Sequence, residues 1–255
     1  MAARLEIIGL PGVPMVQPGD NLHAFAISAL VDADIAPEPG DVLVVAQKIV
    51  SKAEDRFVDI ATIKPSARAE KLAAETGKDP RFVEVVLSES KRIVRHRENL
   101  IIAEHRLGFV MANAGIDHSN VAPGDGRELV LLLPVDPDGS ARALREQLVA
   151  AYGAPIAVII SDSFGRPWRR GTVGIAIGAA GLPAIIDWRG HPDLFGRPLE
   201  VTETGFADEI AAAASLVMGQ ANEAMPMVLV RGLHWIAPEA EAAALVRPPE
   251  HDLFR

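Results

Sequence analysis

The segment ISDSFGRPWRRGTVGIAIGAAG, residues 160–181, sets one carboxylate, one small hydroxyl and three guanidinium groups close together. Asp162 follows an apolar run that reads as a strand, and strand ends are where ligand-facing residues collect in α/β proteins. A carboxylate there can hold a hard cation through oxygen, and Ser163 adds a second oxygen. Arg166, Arg169 and Arg170 can grip phosphate or carboxylate groups in forked hydrogen bonds. Metal beside arginine suits polyphosphate chemistry, because both neutralise a transferring phosphoryl group. The plainer alternative is a turn capped by Asp162 with surface arginines; the density of SDSFGRPWRRG weighs against it.

Four other stretches carry weaker signals. In ANAGIDHSN (112–120), Gly115 allows a tight turn while Asp117 and Asn120 offer a carboxylate and an amide. Carboxylates from two separate loops can share divalent ions, although an Asx-rich turn explains the same residues. In AQKIVSK (46–52), Lys52 lies just past an apolar run, where an ammonium can reach a phosphate as a point charge; a solvated strand end is the alternative. GLPGVP (9–14) is a glycine-proline loop whose backbone N–H groups can face an anion, or a plain turn. In MGQANEAMP (218–226), Gln220 and Glu223 offer oxygens to a metal or nucleotide, or Gly219 simply ends a helix.

Elements must hold these residues in place. RLEIIGL (4–10) reads as a strand, followed by a turn and a helix over 21–35 with Asp20 as its cap. VLVVAQKIV (42–50) reads as one buried strand ending at Ser51. Helices are expected over 66–77, with Ser66 and Gly77 as caps, and over 80–89. Residues 98–117 read as a hairpin turning near 105–108, 129–134 as a strand, and DPDGSARALREQLVAAYG as a turn and a helix. IAVIIS (156–161) is a buried strand, ADEIAAAASLVMGQ (207–220) a long helix and MVLVRGL (227–233) a last strand. Regular βαβ alternation fails in the middle of the chain. The expected class is mixed α/β (α+β) with mixed sheets and flanking helices, one domain over 1–245 and a tail over 246–255.

The totals exclude several functions. A net charge of −9 disfavours nucleic-acid binding, so an anionic ligand needs a local positive cluster. Cysteine is absent, which removes disulfides, thiolate zinc sites and a cysteine nucleophile. No apolar run reaches the roughly 20 residues of a membrane span, and the N-terminus lacks a signal-peptide core; a cytoplasmic protein is expected. No P-loop, G-x-G-x-x-G, H-E-x-x-H or G-x-S-x-G motif is present.

GLPGVP, QKIVSK, ANAGIDHSN, IISDSFGRPWRRGTVGIAIGAAG and ADEIAAAASLVMGQ, in that order, resemble the coenzyme F420-0:L-glutamate ligases, the gamma-glutamyl ligases of F420 biosynthesis. The resemblance runs from about residue 5 to 233. It implies an uncommon α/β fold, a homodimer, and GTP-dependent addition of L-glutamate to F420-0, with further gamma-linked glutamates. It implies two divalent ions, Mg²⁺ or Mn²⁺, and a monovalent cation such as K⁺. By position, Asp117 and Asp162 resemble ligands of the first metal, and Ser163 and Gln220 ligands of the second. Leu10, Pro11, Gly12, Val13, Gln47, Lys52 and Asn120 resemble nucleotide contacts. So does the run Met218, Gly219, Gln220, Ala221, Asn222, Glu223, Ala224 and Met225. Arg166, Arg169 and Arg170 are expected to hold an anionic substrate or brace their loop.

Three departures from the family pattern stand out: Gln47 where Ser or Thr is expected, Ser163 for Thr, and Gln220 for Glu. The last removes a charge from the second metal set. Some bacterial members carry an appended flavin-binding reductase domain; the chain ends at Arg255, so that activity is not expected. A metal-dependent phosphohydrolase and a non-catalytic GTP-binding regulator are the alternatives. Net turnover that needs both acceptor and glutamate separates the ligase from either.

Overall fold

The computed structural model describes residues 4–118, 121 and 126–253. In chain order the elements are β1 (Glu6–Gly9), α1 (Leu22–Asp32), β2 (Val42–Ala46), α2 (Gln47–Ala53), β3 (Phe57–Asp59), α3 (Ala67–Thr76), α4 (Pro80–Ser88), β4 (Ser90–Arg97), β5 (Leu100–His105) and β6 (Val110–Ala112). They continue as β7 (Leu129–Leu131), α5 (Pro137–Tyr152), β8 (Ala157–Arg166), β9 (Arg169–Ala180), β10 (Ile186–Asp187), β11 (Glu203–Thr204), α6 (Phe206–Met218) and β12 (Met227–Arg231).

The frame is a mixed five-stranded sheet in the order β1-β12-β2-β8-β9. Within it only β2 and β8 run parallel, and the crossover between them contains most of a second layer. That layer holds α3, α4, the sheet β4-β5-β6 and the pair β3-β7, packed around its own apolar cluster of Val83, Val86, Ile101 and Val130. The mixed α/β expectation therefore holds, including the absence of a doubly wound sheet.

The central strands read as continuous apolar runs because both faces are covered. Leu43, Val45, Val158 and Ile160 face α1 and α5; Val42, Val44 and Ile159 face α6. Each such side chain contributes about 1.5–3 kcal/mol by leaving water. Helix α6 is alanine-rich because it must lie close to β9. A Cβ on Gly174 would come within 2.5 Å of the Ala211 carbonyl oxygen, and one on Gly178 within 2.2 Å of the Pro137 carbonyl oxygen. One glycine thus makes room for α6 and the other for α5. They face opposite sides because the β8–β9 register slips between Ile160↔Gly178 and Ser161↔Ala176, leaving Ile177 as an extra residue.

Several expectations are corrected. Helix α1 is capped by Asn21, whose side chain accepts from the Ala24 N–H; Asp20 instead accepts from the Gln17 N–H at 2.7 Å, closing the preceding turn. The 42–50 run is two elements: the strand stops at Ala46 and Gln47 begins a helix. Residues 90–97, given no element from sequence, form a strand with two irregularities against β5. Strand β8 does not end at Asp162 but continues to Arg166. The caps Ser66 and Gly77 are found as expected, Gly77 in the left-handed conformation.

Candidate functional site

Three elements bring the acidic residues together. β8 is the first. Its alternation sends Val158, Ile160 and Phe164 to the α5 face, so Asp162 points the same way and Ser163 the other. Phe164 meets Phe109 edge-on with ring centroids 5.9 Å apart, which ties this end of β8 to the β5–β6 turn. The second element is the chain after β6. Asn113, Ala114 and Gly115 all have positive φ, at 51°, 53° and 71°. Two of the three are not glycine, and such strain gathers at functional sites. The turn delivers Asp117, whose backbone pairs with Leu131 in both directions at 2.9 Å. The third is α2, which starts where β2 ends, beside Ser161 of β8.

Helix α2 is the hub. Gln47, 3% exposed, donates from Nε2 to Asp117 Oδ2 at 3.0 Å. Its Oε1 accepts from Ser51 Oγ at 2.8 Å, one turn on. Its neighbour Lys48 places Nζ 3.4 Å from the same Asp117 oxygen. Lys52 is 7% exposed. Burial pushes its pKa down, Lys48 adds to that, and Asp117 opposes both.

The two aspartates feel each other. Burial and then the Asp117 charge push the Asp162 carboxyl up to about 7, against the Ser163 N–H, Lys48 and Gln47. Its carboxylate is partly buried, with Oδ1 accepting from the Ser163 N–H at 2.7 Å. Asp117 is also raised, chiefly by burial, with Lys48 and Gln47 opposing. Asp117 and Asp162, distant in sequence, converge on Gln47 and Lys48.

The remaining expected residues form a second grouping. On the other face of β8, Ser163 Oγ donates to Gln220 Oε1 at 2.8 Å. Gln220 lies just past α6, in a loop opened by Gly219 at φ 72°. Glu223 folds back into this loop. Its carboxylate accepts from the Ala221 N–H at 2.8 Å, and further backbone N–H groups of 220–223 hold its pKa down. The loop meets the N-terminal segment. Met225 packs on Gly9, where an added Cβ would lie 2.9 Å from its Cγ, and the Leu10 N–H donates to the Met227 carbonyl at 2.9 Å. Leu10 is fully buried, while Pro11 and Gly12 are exposed and Val13 partly so. Asn222 is exposed and Met218 partly buried; Ala224 has φ 53°. Asn120 lies outside the described residues.

The arginines are not gathered with the aspartates. Arg166, Arg169 and Arg170 are exposed at the tip of the β8–β9 hairpin. Arg166 lies four residues from Asp162, about 13 Å along an extended strand. Trp168 at the tip is 81% exposed with φ 56°.

The donor chemistry fits a hard divalent cation. Asp117, Asp162, Ser163 and Gln220 supply only oxygen, and a cation between the carboxylates would relieve their repulsion. Among the described residues no three of His, Cys, Asp and Glu come together, so neutral oxygens must complete any coordination. The sequence profile of the F420-0:gamma-glutamyl ligases matches residues 12–232. The chain belongs to this family.

The ligase family assignment is supported along the whole length. The chain is 48% identical over 253 residues to the coenzyme F420:L-glutamate ligase of Methanothermobacter thermautotrophicus, covering 98% of this chain and 99% of that one. It is 46% identical to the enzyme so named in Methanopyrus kandleri, covering 98% of each. The one so named in Archaeoglobus fulgidus is 42% identical, covering 99% of this chain and 97% of that one.

Sequence reasoning missed Lys48 and Ser51. The signal was present: Gln47, Lys48, Ser51 and Lys52 are polar while Ile49 and Val50 are apolar, which is a helical period and not an alternation. A cleft of about 910 Å³ is lined among others by Lys78, Phe82, Ile116 and His118, and by neither Asp117 nor Asp162. The last two flank Asp117 in the sequence.

Proposed function

We propose that the protein is a coenzyme F420-0:L-glutamate ligase that uses GTP to join L-glutamate to its acceptor, and then adds gamma-linked glutamates. The observation that carries this reading is the convergence of Asp117 and Asp162 on α2, in a chain belonging to the ligase family. Asp117 and Asp162 would hold one Mg²⁺ or Mn²⁺, and Ser163 and Gln220 would contribute to a second. Such ions, when bound, would offset the negative charge of the triphosphate and so ease the approach of an anionic carboxylate. A monovalent cation such as K⁺ and a homodimeric, cytoplasmic enzyme complete the family-based reading.

A carboxylate is a poor acyl donor because its oxygen leaves badly. In the proposed reaction the acceptor carboxylate oxygen attacks the terminal phosphorus, the bond to the bridging oxygen breaks, and GDP departs. The glutamate amine then attacks the acyl carbon, phosphate leaves, and the amine loses a proton. The chain's own contributions are electrostatic and positional. Gln47 fixes the Asp117 carboxylate through one amide hydrogen bond and is itself held by Ser51. Lys52, largely withdrawn from water, presents a cation to phosphate. The loops 10–13 and 218–225, held together by Met225 and Met227, would line the nucleotide. Arg166, Arg169 and Arg170 would meet an anionic substrate arriving from solvent.

The direct test is mass spectrometry of F420-0 incubated with the protein, GTP, Mn²⁺ and glutamate. The expected result is a glutamyl mass increment with one GDP released per bond, and little GDP release when glutamate or F420-0 is omitted. Phosphate release without either would replace the ligase with a phosphohydrolase.

A further inference from the structure

Lys48 contributes to the site in a way that the donor set does not explain. It stands on the first turn of α2, one residue from Gln47 and one turn before Lys52. Its ammonium lies 3.4 Å from Asp117 Oδ2, the oxygen that also accepts from Gln47. Both partners are accessible, with 28% and 30% of their side-chain surface exposed. A lysine is a point charge on a flexible stem and can swing without dismantling the backbone around it. The amide of Gln47, by contrast, is buried and locked to Ser51.

Charge bookkeeping makes that mobility meaningful. Two aspartates face two lysines here, so with both carboxylates ionised the ligand-free site is close to neutral. A divalent cation added to that arrangement leaves an excess of positive charge at short range. The excess falls on Lys48, which competes for the same carboxylate oxygen. An arriving polyphosphate removes the conflict by offering the ammonium a new anionic partner.

We infer that Lys48 is a resident counter-cation of Asp117, displaced when a divalent metal enters and then transferred to a nucleotide phosphate. Metal and nucleotide are thereby coupled through one side chain, each making room for the other. Lys48 is a positioning residue in this scheme: in the ligand-free site it holds the Asp117 carboxylate, and in the loaded site it holds a phosphate. The inference rests on the reading that Asp117 and Asp162 take a divalent cation.

Calorimetric titration of the full chain with Mn²⁺ alone, and then with GDP in the presence of Mn²⁺, tests it. Lys48→Gln is expected to bind Mn²⁺ about 3- to 10-fold more tightly than the wild type, the scale of losing one partly screened charge. The same variant is expected to bind GDP about 10-fold more weakly once Mn²⁺ is present. Lys48→Arg, which retains the charge, should bind Mn²⁺ as the wild type does. Lys91→Gln, an exposed control on β4 with the same loss of net charge, should change neither affinity. Weaker Mn²⁺ binding in Lys48→Gln would overturn the inference and leave Lys48 a structural brace. Unchanged Mn²⁺ binding would also overturn it, because no competition would exist to relieve. Failure of the wild type itself to bind Mn²⁺ would instead remove the metal reading on which the inference stands.

Discussion

Glu89 is a buried acid and Asp162 a partly buried one, and their surroundings are opposite. Glu89, 5% exposed at the end of α4, lies 3.3 Å from Arg56 Nη2, 2.8 Å from Arg106 Nη2 and 3.5 Å from His105 Nε2. The His105 Nδ1 accepts from the Leu107 N–H at 3.0 Å, so the ring proton sits on Nε2, facing the carboxylate. Burial alone would raise the Glu89 pKa, but His105, Arg106 and Arg56 together outweigh it and hold the carboxyl down. Asp162 has another acid for a neighbour and is pushed up to about 7. One acid is saturated with positive partners and stitches α4 to β5 and to the segment after α2. The other shares its positive neighbour, Lys48, with a second acid. That contrast separates a structural charge from a binding one, and it yields predictions for both.

The largest expected effect is on chemistry. Asp162→Ala should lower GDP release in the presence of F420-0 and glutamate by about 1,000-fold or more, with the far-ultraviolet circular dichroism unchanged. Undiminished turnover would take Asp162 out of the site. Glu89→Gln should do the reverse, costing about 1.5–3 kcal/mol in urea unfolding by taking the charged acceptor away from Arg56 and Arg106, while protein that remains folded keeps its turnover. If Glu89→Gln proved harmless to stability, the contrast would collapse.

A subtler contrast follows from the same environments. Asp162→Asn, tested without metal, removes the repulsion with Asp117 and should raise stability at neutral pH by about 1 kcal/mol, as happens where function opposes stability. The pH dependence runs the other way for Glu89. A depressed carboxyl contributes stability that is complete above the unfolded value near 4.3 and is lost as pH falls through the lower folded value. Urea midpoints of wild type and Glu89→Gln should therefore converge as the pH drops below about 4. The smallest effect concerns the second grouping. Ser163→Ala should weaken Mn²⁺ binding only about 3- to 10-fold, since one neutral oxygen is removed from a set that carries the charge elsewhere.

Much of this was legible from residue order alone. The carboxylates in ANAGID and ISDS, the hydroxyl of Ser163 and the amide of Gln220 were each singled out, and the structure pairs them as Asp117 with Asp162 and Ser163 with Gln220. The helix boundaries at Ser66 and Gly77 were readable because capping is local chemistry. What failed involved tertiary context. The β-branched residues Ile49 and Val50 favour a strand by propensity, and Ala46 caps α2 without a side-chain bond, so the helical period of 47–52 was the one local sign of the turn into the helix and no cap reinforced it. Lys48 was overlooked as a result. The apolar run stops at Asp162 and so suggests a strand end there, yet β9 continues to pair with β8 as far as Arg166↔Arg169. Hydrogen-bonded pairing outlasts hydrophobic burial wherever a hairpin extends into solvent. The arginines, adjacent to Asp162 in sequence, were carried to the hairpin tip by that extension.

The extra residue Ile177 in β9 sets the phase of everything beyond it. Deleting a single residue there would turn residues 169–176 over, pointing Val173 and Ile175 at α6 and aiming Gly174 away from the helix that needs its clearance. Shape tolerance at this strand is therefore a matter of counting as much as of chemistry. A conservative replacement of Ile177 leaves the parity intact, whereas any change in the spacing between the two glycines puts bulk where a helix backbone already lies.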